Sequence, residues 1–218
     1  MEAWRLSCLS IEELLCLQLL GYSPRQLYEG IESERYSLKE TASMSIRELD
    51  KAKRILDRQA KAGVFAISYY DKAYPHHFRN LCRDAPPLVH VLGNKDLLNR
   101  EDNVAIIGAR AADKDGLDMA YGLAKQMGEQ GHIVISGLAL GCDTAAHQGC
   151  LDADGQTIAL VASGLDITHP RVNKSLQDEI IAMGRVILSE HLFGAKANPT
   201  RLVARCCTEK PHGLCAES

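Results

Sequence analysis

The chain of 218 residues has few aromatic side chains and no strong excess of either charge. Lys and Arg number 25 and Asp and Glu number 28, giving a formal charge of −3, which excludes a histone-like polycation but not a local basic surface. No stretch approaches the roughly 18 apolar residues of a membrane-spanning helix. The N-terminus also lacks the basic region, unbroken apolar run and cleavage site of a secretory signal. We therefore expect a cytoplasmic protein with no membrane association.

Sequence motifs for common cofactors are also missing. Residues 108–113 lack the second and third glycines of the dinucleotide-binding fingerprint, and no phosphate-binding P-loop occurs. The eight cysteines are interpreted as reduced thiols, because a chain of this length can bury an apolar core without disulfides. Three of them lie near His212 but lack the usual zinc-ligand spacing: Cys206, Cys207 and Cys215. We expect no cofactor, no metal site and no catalytic residue.

Residues 1–62 carry repeated helix-start signals, in which a serine is followed three positions later by Glu or Gln. The four pairs are Ser10 with Glu13, Ser23 with Gln26, Ser37 with Glu40, and Ser45 with Glu48. The last predicted helix places Ile46, Leu49, Lys53 and Leu56 along one stripe, and Gly63 is a plausible stop. This pattern predicts a small all-helical domain of the SAM or helix-hairpin-helix kind.

Residues 63–205 change to short apolar runs that alternate with helical stripes. Predicted strands at 65–69 and 88–92 lead into strands at 104–107, 132–135, 157–161 and 185–188, with single helices between the last four. Since parallel neighbours need a crossover connection, this order predicts an α/β fold. We expect a Rossmann-like, mainly parallel sheet with helices on both faces. Residues 206–218 show neither the helical nor the strand periodicity of apolar residues and are interpreted as a tail.

The connections that follow these strands concentrate positive charge. They contain six cations and three carboxylates, although the whole chain is acidic. In parallel sheets such connections meet at one edge, where helix N-termini also favour anions. A phosphate-bearing ligand would suit this edge, while the alternative is that exposed loops simply carry charge. The candidate ligand-binding residues are Gly108, Arg110, Ser136, Gly137, Arg171, Asn173, Lys174 and Arg201.

Other polar residues near this edge have simpler interpretations. Asp143 is expected to cap the helix that begins near residue 144, and His147 is more readily a packed or solvated histidine than a general base. Asn173 is the natural N-cap of the next helix, with Arg171 and Lys174 beside it as anion contacts.

Six ordered motifs together resemble the DprA/Smf family of DNA-processing proteins. They are VAIIGAR at 104–110, SGLA at 136–139, GCDTAAH at 141–147, ALVASGLD at 159–166, HPRVNK at 169–174 and LSE at 188–190. The resemblance implies an extended Rossmann fold that binds single-stranded DNA, protects incoming strands in natural transformation and helps to load a RecA-type recombinase. It also implies a homodimer without a catalytic cofactor. Arg110 and Lys174 match the family's DNA-contacting positions.

The sequence departs from the family pattern at several points. Leu140 stands where the family usually has a cation, and the continuation after the last predicted strand is shortened to residues 198–205. We therefore expect the C-terminal strands and part of the usual dimer surface to be missing. One alternative function is a Rossmann-like nucleotide-binding sensor or hydrolase, although the Pro-Gly-Gly-x-Gly-Thr motif of related phosphoribohydrolases is absent. Another is a degenerate protein whose helical module only recruits a partner.

Overall fold

A computed structural model describes residues 9–33, 38–81 and 84–197 of the chain. The chain forms two compact units, Met1–His90 and Val91–Ser218. Within the described ranges, every helix is too short or too polar to cross a membrane.

Four helices make up most of the first unit. They are α1 (Ile11–Leu19), α2 (Pro24–Ser33), α3 (Leu38–Met44) and α4 (Ile46–Lys61). The α1 helix begins with the predicted capping box, since Ser10 Oγ accepts from Glu13 N and the Glu13 carboxylate accepts from Ser10 N. Its buried face, Leu14 to Leu17, packs in a module where α1 contacts α3 and α4. The helical character predicted for the N-terminal region is confirmed, and the first compact unit continues past residue 62 to His90.

The remaining serine signals have different outcomes. Ser23 and Gln26 form the expected reciprocal hydrogen bonds at the start of α2. Ser45 makes no side-chain cap, so that prediction was wrong: its hydroxyl donates to Thr41 O of the preceding turn instead. The pair of Ser37 with Glu40 falls partly outside the described residues.

The first unit also contains strand β1 (Val64–Ser68), the short helix α5 (His76–Arg79) and an aromatic cluster. The Tyr69 ring lies 5.0 Å from that of Tyr28 and 5.3 Å from that of Tyr74. The Arg79 guanidinium lies over the rings of Tyr69 and Tyr74 at 5.1 and 5.5 Å, a cation–π arrangement. Burial raises the pKa of the Tyr28 hydroxyl, which donates to Ala85 O. Five of the 11 aromatic residues of the chain belong to this packing cluster: Tyr28, Tyr69, Tyr70, Tyr74 and Phe78.

The strands form a six-stranded sheet in the order β1-β2-β6-β5-β4-β3. The other strands are β2 (Leu88–Gly93), β3 (Asn103–Ala105), β4 (Ile133–Ser136), β5 (Gln156–Val161) and β6 (Val186–Ser189). Strands β3 to β6 are parallel, with Val104 opposite Val134, Ile135 opposite Ile158 and Ala159 opposite Ile187. The mainly parallel α/β sheet predicted from the sequence is confirmed.

Three crossover helices join these parallel strands: α6 (Lys114–Glu129), α7 (Cys142–Asp152) and α8 (Lys174–Ala182). The α7 helix contacts both α6 and α8. Because β3 to β6 are consecutive neighbours, right-handed crossovers place all three helices on one face of these strands.

Glycines allow α6 and α7 to approach closely. A Cβ at Gly149 of α7 would lie 2.2 Å from Tyr121 O of α6, so this position has no room for a side chain. The core beneath the two helices contains Ile106, Ala124, Val134 and Ala146. This packing fixes the start of α7 at the carboxyl edge of the parallel strands.

Candidate nucleic-acid interface

The carboxyl ends of β3 to β6 form one edge of the sheet, because the four strands are parallel. We call the connections at this edge the crest; they are residues 106–113, 137–141, 162–173 and 190–197. The helices α6, α7 and α8 all begin at this edge, so their unpaired N–H groups and positive dipole ends face the same side. The backbone alone therefore makes the crest favourable for anions.

An open cavity of about 610 Å³ lies within the crest. Three of its lining side chains are cations, Arg171, Lys174 and Lys196, and one is a carboxylate, Asp166. Ile167 and Thr168 complete the lining. Lys174 forms an ion pair with Asp178 one turn along α8, and it remains more than half exposed. The lining thus carries a net charge of +2, together with a hydroxyl donor.

Asn173 joins two parts of the crest from the inside. Its side chain is 5% exposed, and its Nδ2 group donates hydrogen bonds at 2.9–3.3 Å to three acceptors. The acceptors are Leu138 O, Ala139 O and Thr144 Oγ1. These bonds tie the turn that carries Arg171 and Lys174 to the loop between β4 and α7. Asn173 is the N-cap residue of α8, as predicted, but its side chain makes no capping hydrogen bond to that helix.

The loop between β4 and α7 is held in an unusual conformation. Leu138 has a φ of +57°, which few residues with a side chain adopt, and it is fully buried. On its C-terminal side, Ala139 N donates to Asp143 Oδ2 at 3.1 Å and Ala139 O accepts from Thr144 Oγ1 at 2.7 Å. Asp143, Thr144 and Asn173 therefore hold this loop together.

The turn that carries Gly108 and Arg110 packs on the start of α7. A Cβ at Gly108 would lie 2.6 Å from Cys142 Sγ. Gly141, the N-cap of α7, has a φ of +78°, and a Cβ there would lie 2.2 Å from Ala109 O. Both glycines are therefore required for close approach. The Arg110 side chain is exposed above this contact.

Lys196 reaches the cavity because two crest loops are hydrogen-bonded to each other. Gly164 N donates to Ala195 O at 2.8 Å, and both carboxylate oxygens of Asp166 accept from Gly194 N. A Cβ at Gly164 would lie 2.2 Å from Leu192 O, so the loops touch at this glycine. Asp166 thus positions the loop that carries a cation.

Glu190 follows β6 at the same edge. Burial raises the pKa of its carboxyl group. A raised pKa means that Glu190 gives up its proton at a higher pH than a fully solvated carboxyl group does.

Asp143 and His147, the acidic and the basic residue that the sequence places near the start of α7, are engaged within the fold. Asp143 does not cap α7 as expected, because Gly141 is the N-cap and the carboxylate accepts from Ala139 N. His147 is fully buried, with Nδ1 2.8 Å from Thr157 Oγ1. Since the Thr157 hydroxyl donates to Val134 O, His147 Nδ1 carries the proton in this contact. The interpretation of His147 as a packed histidine agrees with this environment.

The eight predicted site residues fall into three groups. Arg110, Arg171 and Lys174 are exposed at the crest, and Gly108 and Gly137 belong to its turns. The side chains of Ser136 and Asn173 are buried; the Ser136 hydroxyl donates to Ile106 O at 2.7 Å and links β4 to the end of β3. Their side chains therefore act inside the protein and not at its surface. Arg201 lies outside the described residues.

Sequence reasoning did not select Lys196 or Thr168, although both line the cavity. Lys196 lies in the last crest connection and was counted only as one of its cations. Thr168 precedes the motif at 169–174. In both cases the only signal in the sequence is that the residue follows a predicted strand. That position places the residue in a loop but does not show which cavity its side chain lines.

Proteins of known name match part of the chain. The DNA processing protein DprA of Streptococcus pneumoniae is 39% identical over 126 residues, which are 58% of this chain and 43% of the relative. The DNA processing protein DprA of Bacillus subtilis is 30% identical over 141 residues, 65% of this chain and 47% of the relative. The chain therefore matches less than half the length of each.

Solved structures show the same fold. The X-ray structure of DNA processing protein A from Streptococcus pneumoniae superposes with a TM-score of 0.72 and 27% identity, covering 92% of this chain and 74% of that one. DNA processing protein A from Helicobacter pylori, described for its single-stranded DNA binding mode, superposes with a TM-score of 0.55 and 29% identity, covering 65% and 62%. Residues 65–207 match the sequence model described as DNA recombination-mediator protein A. This match extends over all four crest connections and most of the chain, and the chain accordingly belongs to the DNA recombination-mediator protein A family.

Proposed function

We propose that the chain binds single-stranded DNA along the crest and acts by binding, not by chemical conversion. The observation that carries this proposal is the cavity lined by Arg171, Lys174 and Lys196 at the anion-favouring edge of the sheet. Arg110 extends the contact surface, and Arg201 contributes from the segment that follows. Gly108 and Gly137 allow the backbone to approach phosphates without a Cβ in the way.

Affinity in this proposal comes from phosphate neutralisation. Lys and Arg side chains release counterions from the strand, and the helix N-termini supply N–H donors. No base-reading element is needed, so binding depends little on sequence and strongly on salt. Engagement of Asp143 and His147 within the fold supports a binding role over general acid–base catalysis.

The finer parts of the function rest on the family. We propose that the protein protects incoming strands in natural transformation and assists a RecA-type recombinase in the cytoplasm. The description of the matching family as a recombination mediator supports a recombinase partner.

The test is a salt titration of fluorescent oligothymidylate binding by the full chain. Arg171→Ala and Lys174→Ala each remove a charge-assisted contact of about 1.5 to 3 kcal/mol, which predicts affinity losses of roughly 10- to 100-fold. Arg100→Ala is the matched control: it removes an exposed cation, paired with Asp102, beside the amino end of β3. If both crest variants bind like the control, the crest is not the binding surface.

A nucleotide-binding sensor or hydrolase is the second candidate, because a cavity of about 610 Å³ is within the size range of small-molecule sites. Thermal denaturation with a panel of mononucleotides separates the two. A mononucleotide at 100 times its dissociation constant adds about 2.7 kcal/mol to the free energy of unfolding. Stabilisation by a mononucleotide without oligonucleotide binding would favour the sensor.

A further inference from the structure

The α4 helix of the first unit carries a row of cations that the crest does not involve. Five Lys or Arg residues follow one another at spacings of four, three, four and three positions: Arg47, Lys51, Arg54, Arg58 and Lys61. At 3.6 residues per turn, these positions fall within about 40° of one line along the helix. The line is about 21 Å long at 1.5 Å per residue. All five residues are exposed, and we call them the α4 stripe.

The acidic residues of α4 lie off this stripe. Glu48 lies towards the packed side of the helix, and Asp50 and Asp57 lie on one flank. Although Asp50 and Asp57 are three or four positions from stripe residues, Arg47, Lys51, Arg54 and Lys61 make no ion pair with the rest of the described chain. Arg54 Nε instead donates to Asp50 O at 3.2 Å. The stripe therefore presents a concentrated charge of +5 on a chain of −3.

Helix stabilisation explains only part of the stripe. Arg58 and Lys61 lie in the last turn, where cations interact favourably with the helix dipole. Arg47 lies in the first turn, where a cation is unfavourable, and Lys51 and Arg54 are in the middle. The helix dipole therefore accounts for Arg58 and Lys61 but not for the alignment of Arg47, Lys51 and Arg54 with them.

The packing of α4 distinguishes a nucleic acid from a membrane. Membrane-surface helices combine a basic face with an apolar face that enters the lipid. The apolar side of α4 is already used, since Ala52 is fully buried, Leu49, Ile55 and Leu56 are half-buried, and the helix contacts α1, α3 and β1. Of the large apolar side chains of α4, Ile46 alone is mostly exposed, at 69%. One side chain does not make an apolar face for lipid, so the charge pattern fits the evenly spaced phosphates of a nucleic acid.

We propose that the α4 stripe is a second nucleic-acid-binding surface, which contacts the phosphate backbone without reading bases. It goes beyond the crest, which contributes different residues from a different unit of the chain. Each stripe cation that meets a phosphate adds about 0.7 to the salt dependence of single-strand binding, or about 0.9 for duplex DNA. The stripe and the crest are thus each suited to a polyanion of the same chemical class.

The test compares two triple variants of the full chain. The stripe variant carries Arg47→Gln, Lys51→Gln and Arg54→Gln, which keeps a good helix former at each position and leaves the C-terminal turn intact. The control variant carries Arg25→Gln, Lys39→Gln and Lys53→Gln, which removes the same charge from exposed positions of the same module. Binding is measured against salt with an oligothymidylate and with a duplex, and circular dichroism shows that both variants are folded.

We expect the stripe variant to lose about 2 from the slope of log affinity against log salt for the single strand, and the control to keep the parental slope. In an Arg171→Ala, Lys174→Ala background, the stripe changes should again lower the slope by about 2, whereas the control changes should leave the slope of that background unchanged. If stripe and control variants behave alike, the proposal is overturned while the crest still stands. If the crest changes leave binding intact and the stripe changes weaken it, the crest assignment fails and the stripe assignment stands. Stripe-dependent binding to phosphatidylserine vesicles with an unchanged DNA slope would also overturn it.

Discussion

Asn173→Leu tests whether the buried asparagine positions the crest cations. The change keeps a similar side-chain volume and removes the Nδ2 donor that serves Leu138 O, Ala139 O and Thr144 Oγ1. Ala139 O keeps its bond from the Thr144 hydroxyl, whereas Leu138 O loses the hydrogen bond from Asn173, and Leu138 is fully buried. One buried unsatisfied carbonyl costs about 1 to 3 kcal/mol.

The loss of stability has a measurable size. A loss of 1 kcal/mol lowers the melting temperature of a chain of this length by about 2 to 4 °C, so we expect a decrease of roughly 2 to 12 °C. Asn173→Asp should cost more, because it turns a carboxylate towards three oxygen acceptors. Ser175→Ala, an exposed change two positions away, should leave the melting temperature within about 1 °C or 2 °C of the parent.

The salt dependence separates positioning from direct contact. If Asn173 positions Arg171 and Lys174, its loss should lower the salt slope by up to about 1.4, the share of two single-strand phosphate contacts. If Asn173 itself touched DNA, the loss of a neutral hydrogen bond would weaken binding equally at all salt concentrations. Calorimetric melting and fluorescence anisotropy of the same samples provide both readouts. An Asn173→Leu protein with parental melting temperature, or with weakened binding and an unchanged slope, would refute the reasoning.

Three further changes are predicted. Glu190→Gln should stabilise the protein increasingly as pH rises. Burial raises the pKa of Glu190 in the folded protein, so its ionised carboxylate destabilises the fold, whereas in acid both the Glu and the Gln side chain are neutral. Melting curves across pH check this, and a difference in melting temperature that does not change with pH would contradict it. Gly164→Ala should lower both stability and single-strand affinity, since its Cβ meets Leu192 O at 2.2 Å and displaces the Lys196 loop; normal binding would show that this loop is not needed. Ser10→Ala should cost about 1 kcal/mol, and Ser45→Ala clearly less, because only Ser10 caps its helix; equal losses in urea denaturation would argue against this.

The sequence predicted the strands and crossover helices well because their signals are local. Apolar runs of four to six residues such as 157–161 are bounded by Gly or Asp, and each is followed by one helical stripe. Parallel order then follows from the alternation itself. Arg171 and Lys174 were predicted for the same reason, since they directly precede a helix at the carboxyl edge.

Features that depend on long-range contacts were not predictable in this way. Lys196 lines the cavity only because Gly164 and Asp166 bond to the loop that carries it. Asn173 looks like a cap from its position, yet its side chain turns inward to a loop 34 and 35 residues away. Ser45 likewise matches a capping pattern, but the preceding helix ends so close to it that its hydroxyl bonds to Thr41 O.

Lysine acetylation mapped by mass spectrometry, with and without an oligothymidylate, tests the binding surface most directly. Lys174 and Lys196 line the cavity, whereas Lys125 lies in the C-terminal half of α6, away from the crest. We predict that the oligonucleotide protects Lys174 and Lys196 from acetylation and leaves Lys125 as reactive as before. Equal reactivity of Lys174 and Lys196 in the free and bound protein, under conditions where the oligonucleotide is bound, would contradict the assignment of the crest as the single-strand site.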